Sequence, residues 1–174
     1  GVKSCDLFSL KIQDYVFKDG LFKDPFYIKR REDVLIVASD CTGFKEVCFC
    51  LSLGINPYPE ADFDVNLSPL ADGYMVTIGS AKGEELISKN KAHFESIGEA
   101  QVTNVQMNRQ SLVNRLKSHL EPQKIPSPEV IPQAVKRGFN SNIWKEEALT
   151  CVECGACNFI CCTCHCFLLS DQQE

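Results

Sequence analysis

Between Leu7 and Phe17 the apolar positions Leu7, Leu10, Ile12, Tyr15 and Val16 fall near helical spacing, with Asp6 just before them as a candidate N-cap. Lys18-Asp19-Gly20 ends this predicted helix. A polar stretch from Lys29 to Asp33 leads into Val34 to Ala38 (VLIVA), whose continuous β-branched and apolar character predicts a strand buried on both faces. Gly1 to Cys5 reads as the tail of an earlier strand whose beginning is missing, so the chain reads as a fragment. Strand, helix, strand predicts a parallel pair. Phe63 to Leu67 and Tyr74 to Ile78 flank Ala71-Asp72-Gly73 and predict two short strands joined by a turn, followed by a short helix over Ala81 to Ser88.

From Ala100 to Leu120 the positions Val102, Val105, Leu112, Val113, Leu116 and Leu120 follow an amphipathic helical period. Pro122, Pro126, Pro128 and Pro132 then interrupt it and mark a linker. A further helix is predicted near Asn142, with Trp144 as a core anchor and Glu146 and Glu147 in its early turns. The expected organisation has three parts: an α/β domain with a small, partly parallel sheet over 1–98, a helical and Pro-rich connector over 99–141, and a truncated, ferredoxin-like α-helical cluster-binding segment over 142–174.

Composition changes this picture mainly through cysteine. The chain has 174 residues and 11 cysteines, of which Cys5, Cys41, Cys48 and Cys50 lie near the start and the other seven fall between positions 151 and 166. An odd count, strong clustering and adjacent thiols such as Cys161 and Cys162 argue against a disulfide framework. Reduced thiolates holding metal in a cytoplasmic protein are the expectation. Eighteen basic against twenty-three acidic residues give a net charge of -5, without the surplus that phosphate-backbone binding demands. No apolar run approaches the ~20 residues needed to span a bilayer, so no direct membrane insertion is expected.

The tail reads Cys151-Val-Glu-Cys154-Gly-Ala-Cys157-Asn-Phe-Ile-Cys161-Cys162-Thr-Cys164-His165-Cys166. Its first four cysteines fit C-x2-C-x2-C-x3-C, the run that binds [4Fe-4S] clusters in bacterial ferredoxins, where the fourth thiolate usually serves a second cluster. Two-residue gaps let a tight loop wrap three corners of one cubane, and Gly155 supplies the positive φ or close approach such a loop needs. Structural zinc is the competing reading, but zinc modules typically pair two separated cysteine couples across a longer spacer. Cys161, Cys162, Cys164 and Cys166 compete for the remaining ligand positions, and sequence does not choose among them. His165 lacks the paired Cys-His motifs of a Rieske centre and reads as exposed or as a hydrogen-bond donor to cluster sulfur.

If the two early strands are parallel, Cys5 and Cys41 close them at one carboxyl edge, where α/β folds place ligands. Cys48 and Cys50 follow in a loop long enough to fold back over that edge. A second all-thiolate site is therefore possible, with [4Fe-4S], zinc or plain buried cysteines as the three readings. Phe49 would shield a cluster from water or belong to the core.

Together GVKSCDL, DPFYIKRREDVLIVASDCTG, CFCLSLG and WKEEALTCVECGACNFICCTCHCF resemble, in that order, the iron-sulfur beta subunits of cytoplasmic sulfhydrogenases and the related A subunit of anaerobic sulfite reductase. The resemblance implies an electron carrier with a dicluster ferredoxin-like domain and no catalytic site of its own. Its partners would be a flavin-containing NAD(P)H subunit and a hydrogenase or sulfite reductase catalytic subunit. It also favours a cluster at Cys5, Cys41, Cys48 and Cys50. Two departures matter: Cys162 stands where the family has proline, and the family's second ferredoxin-type cysteine run is missing, because only eight residues follow Cys166.

Weaker signals have ordinary readings. Asn66-Leu67-Ser68 is a sequon that a cytoplasmic protein would not use. His93 and His119 read as solvated surface residues, Lys29-Arg30-Arg31 as a solvated turn or a docking patch, and Gly79 and Gly83 as a turn and helix start. No nucleophile-base pair and no nicotinamide fingerprint is present. The rivals to an electron carrier are a zinc-stabilised interaction module without redox activity and, behind it, a catalytic subunit using the unusual cluster as its substrate site.

Overall fold

The computed structural model describes residues 1–164. Helix α1 spans Ser4–Phe17 and helix α2 Pro25–Asp33. The sheet follows with β1 (Val37–Ser39), β2 (Val65–Leu70) and β3 (Gly73–Ile78) in that spatial order, β1 parallel to β2 and β2 antiparallel to β3. Helices α3 (Ala81–Lys89), α4 (Glu99–Leu120), α5 (Ile131–Gly138), α6 (Ile143–Ala148) and α7 (Ala156–Ile160) complete the described chain.

The first strand is reduced to a single parallel bridge. Val2 donates its N–H to Val37 O and accepts from Ser39 N, both at 2.9 Å, opposite Ala38. Helix α1 then starts three residues earlier than the apolar pattern predicts. Asp6 is its third helical residue, not its cap, and its carboxylate accepts the Lys3 N–H at 3.2 Å. Cys5 consequently lies in the first turn of α1 and does not close a strand.

Helix α2 replaces the expected polar turn. Asp24 caps it by accepting from Phe26 N (2.8 Å) and Tyr27 N (3.1 Å), and Pro25 occupies the position where a missing N–H costs nothing. Lys29, Arg30 and Arg31 are thus helical. The strand after it is shorter than VLIVA suggested: Ile36 and Ala38 are buried, whereas Val34 and Leu35 are exposed. Pro69 is tolerated in the middle strand because β1 pairs only as far as Leu67.

Leu7 of α1 packs on Ile36, Ala38 and Phe63, with Val2 and Leu10 at the margin. Helix α4 covers β2 and β3 through a buried stripe of Val105, Leu112, Leu116 and Leu120. Asp64 joins the layers: one carboxylate oxygen accepts from Ile36 N at 2.6 Å and the other from the Ser80 hydroxyl, the cap of α3. The proline-marked linker contains a 3-10 turn at Glu121–Gln123 and helix α5, which the proline spacing concealed because Pro132 stands in its first turn. Trp144 is half exposed and donates to Gly138 O at 2.6 Å, so it caps a turn and anchors no core.

Candidate metal centre at the sheet edge

Three stretches of chain deliver Cys5, Cys41, Cys48 and Cys50 to the carboxyl edge of the sheet. The Val2 bridge and the first turn of α1 place Cys5. Cys41 follows the end of β1 and is held by its own N–H on Pro57 O at 2.9 Å. Cys48 and Cys50 come from the loop after it, where Lys45 N donates to Cys48 Sγ at 3.2 Å and a 3-10 turn begins at Cys50.

The thiols feel one another. Burial pushes Cys41 up from its ordinary value; the Lys3 ammonium opposes that, and Cys5, Cys50 and Cys48 add to it. Burial likewise raises Cys50, and the charges of Cys5 and Cys48 contribute. Cys5 is raised by burial, then by the Asp6 carboxylate, and also by Cys162. Mutual destabilisation of thiolates at one place is what a bound cation relieves, because metal replaces the protons.

Lys3 supplies fixed positive charge at this edge. Its Nζ donates to Ser39 Oγ at 2.8 Å and to Asp40 O at 2.9 Å, tying the start of α1 to the end of β1. The N-terminal dipole of α1 acts in the same sense on Cys5. Among the described residues no group of three or more His, Cys, Asp or Glu meets the geometry for a single metal ion.

Beside Cys41 lies a polar network that sequence reading missed. Asp40, 5% exposed, receives Arg109 of α4 through Nε (2.7 Å) and a terminal nitrogen (3.0 Å), and also Asn66 Nδ2 at 2.9 Å. Arg109 donates further to Ser68 Oγ at 3.1 Å and stacks over Tyr58 with 4.6 Å to the ring centre. Asn66 of the sequon is fully buried in this network, with its Oδ1 unpartnered. His119 is likewise no isolated surface residue: Nε2 meets Glu46 O at 2.9 Å and its ring lies 5.2 Å from that of Phe44, in the loop between Cys41 and Cys48. The one legible hint was that Arg109, Arg115 and His119 share the apolar-periodic helix. His93 is exposed, and Phe49 is half exposed.

In the C-terminal run, Gly155 adopts φ 69 and starts α7, the left-handed conformation that the tight loop requires. Cys151, Cys154, Cys157, Cys161 and Cys162 are exposed, and Cys164 is half-buried. Glu153 N donates to Cys151 Sγ at 3.4 Å. Cys161 is lowered to about 7, chiefly by the Thr163 hydroxyl 3.1 Å from its sulfur and by Cys164. Cys166 and His165 lie outside the described residues.

The fold and site therefore define a class: a mixed-sheet α/β protein with an all-cysteine candidate centre at the sheet's carboxyl edge and a ferredoxin-spaced cysteine run beyond it. Among curated proteins, Sulfhydrogenase 2 subunit beta of Pyrococcus furiosus is 33% identical over 171 residues, covering 98% of this chain and 48% of that protein. The chain spans about half the length of the curated relative it matches. No family model matches the chain, and no solved structure does. Among the described residues no helix is long and apolar enough to cross a membrane.

Proposed function

We propose that the chain is an iron-sulfur electron-transfer subunit, or part of one. It would work between a flavin-containing NAD(P)H subunit and a catalytic subunit for hydrogen or sulfite, in the cytoplasm. The observation that carries this reading is the placement of cysteines far apart in sequence at one edge of the fold: the Val2 bridge and the Lys3 contacts to Ser39 and Asp40 tie the first turn of α1, with Cys5, to the end of β1, after which Cys41, Cys48 and Cys50 follow. The likeness of the chain, over nearly its whole length, to a sulfhydrogenase beta subunit supports it.

These four residues would hold one [4Fe-4S] cluster, and Cys151, Cys154 and Cys157 with Cys161 a second, with Cys162, Cys164 and Cys166 as rivals for the fourth position. The donor set fits in kind, soft thiolates only, with backbone N–H groups on Cys48 and Cys151 sulfur; Cys41, Cys48 and Cys50 are half-buried, whereas Cys151, Cys154, Cys157 and Cys161 are exposed. When bound, such a cluster supplies reversible one-electron capacity. The chain's own residues orient the thiols, exclude part of the solvent and, through Lys3 and the start of α1, offset the negative charge that four thiolates bring.

Iron, acid-labile sulfide and zinc are to be measured per chain on protein purified without oxygen, with EPR after dithionite reduction. About eight irons with two signals is the expected result. About four would leave one cysteine group without a cluster, and stoichiometric zinc without iron would replace the carrier with a zinc-stabilised interaction module.

A further inference from the structure

A side chain of α1 reaches the C-terminal cysteine run. Gln13, two turns along α1 from Cys5, donates its amide Nε2 to Cys162 O at 3.2 Å and to Cys164 O at 3.4 Å. Both acceptors are carbonyls of the turn that follows α7, so a single amide clasps that turn from outside. On an α-helix, side chains point back toward the N-terminus, which sends the Gln13 amide toward the turn of α1 that carries Cys5. No backbone of α7 takes part in the sheet.

We infer that Gln13 is a positioning residue that clamps the Cys161–Cys164 turn against α1 and sets the spacing between the two cysteine sites. The geometry of the clamp stands on the hydrogen bonds alone; its purpose, a fixed separation between two redox centres, rests on the function proposed above. Glutamine suits the task because it is neutral, long enough to reach, and donates two hydrogens to two carbonyls. Glutamate of the same size would turn acceptor lone pairs toward those carbonyls, whereas lysine would restore a donor.

Two readouts separate the clamp from its purpose. On metal-free, reduced full chain, a short bis-maleimide is applied and cross-linked peptides are mapped by mass spectrometry in wild type, Gln13→Glu and Gln13→Lys. A Cys5–Cys162 link is expected in wild type and Gln13→Lys, and at least a fivefold lower yield in Gln13→Glu. Equal yields in wild type and Gln13→Glu would overturn the clamp whatever the cofactor. On the iron-loaded protein, the spin-spin interaction between two reduced clusters should weaken in Gln13→Glu and persist in Gln13→Lys, at unchanged iron content. An unchanged interaction would overturn the spacing role, and so would loss of iron from Gln13→Glu, which would make the residue one of assembly. Absence of a second cluster in wild type would refute the functional reading while the cross-link result still decides the clamp.

Discussion

Replacing Arg109 by alanine should destabilise the chain at the polar network beside Cys41. The substitution removes the two charge-assisted hydrogen bonds to Asp40, 5% exposed, leaving it only the bond from Asn66, and leaves Ser68 only the longer bond from Asn66 at 3.4 Å. Breaking a buried ion pair by deleting one partner costs about 3–5 kcal/mol. The Arg109 side chain is 23% exposed, so water partly screens the pair and the low end applies, about 3 kcal/mol. For a chain of this size that corresponds to a fall in Tm of ~6–12 °C. The assay is thermal and urea unfolding of metal-free protein, which avoids stabilisation by bound ligand. Asp40→Asn with Arg109→Met, removing both charges, should recover stability to within about 1 kcal/mol of wild type. A Tm change under ~2 °C for Arg109→Ala, or simple additivity in the double variant, would refute the claim that this network holds the chain at Cys41.

Gly83→Ala should destabilise, although alanine normally improves a helix by up to ~1 kcal/mol: a Cβ at Gly83 would lie 1.9 Å from Asp64 O, and overpacking of this kind costs about 1–3 kcal/mol, read as a lower urea midpoint. In metal-free protein near neutral pH, iodoacetamide should alkylate Cys161 before Cys5, Cys41 and Cys50, because Thr163 and Cys164 lower the first to about 7 while burial raises the other three; mass spectrometry showing Cys41 or Cys50 modified first would refute the ordering. Tyr27 is raised to about 12 by burial and by its hydrogen bond to the Asp14 carboxylate at 2.7 Å. Its folded value lies above its unfolded one, so its contribution to stability is complete below ~10 and is lost as pH rises through about 12. Comparison of wild type with Tyr27→Phe over that window should show the difference closing, and a difference that stays constant would contradict it.

The elements with many periodic apolar positions were legible. Helix α4 and the β2–β3 hairpin stand close to where their patterns put them, because burial of one face decides both period and place. Helix α2 was not, since its stability comes from the Asp24-Pro25 cap and from Asp14, which binds Tyr27 and Arg31 (3.1 Å), while none of its residues is buried. The early strand shrank to one bridge because Lys3 turns the chain into α1 as soon as Val2 has paired. For the candidate centre, the cysteines announced themselves by number and spacing. Their supports did not: Lys3, Asp40, Arg109 and His119 are ordinary surface residue types whose role depends on partners 36 to 73 positions away.

Helix α4 explains why the site is ordered on a sheet of only three short strands. Its apolar stripe faces the sheet, and the neighbouring stripe Asn108, Ser111, Arg115 and His119, spaced by three or four residues, runs along the adjacent surface. Arg115 stacks 5.6 Å from the Phe44 ring and His119 meets Phe44 and Glu46, so this second stripe fixes the loop that leads from Cys41 to Cys48. The same helix, through Arg109, fixes Asp40 just before Cys41. Together with Asn108, Ser111 and Arg115 these residues border an open cleft of about 220 Å³ that Cys41 also lines, so solvent reaches Cys41 from that side. One helix therefore constrains both ends of the loop. Part of the conformational entropy that metal binding would otherwise have to remove is already removed by side chains other than the candidate ligands. Loosening α4 at His119 should accordingly weaken thiol-site loading more than it lowers the Tm of the metal-free chain, because the imidazole orders the loop and contributes little to the core.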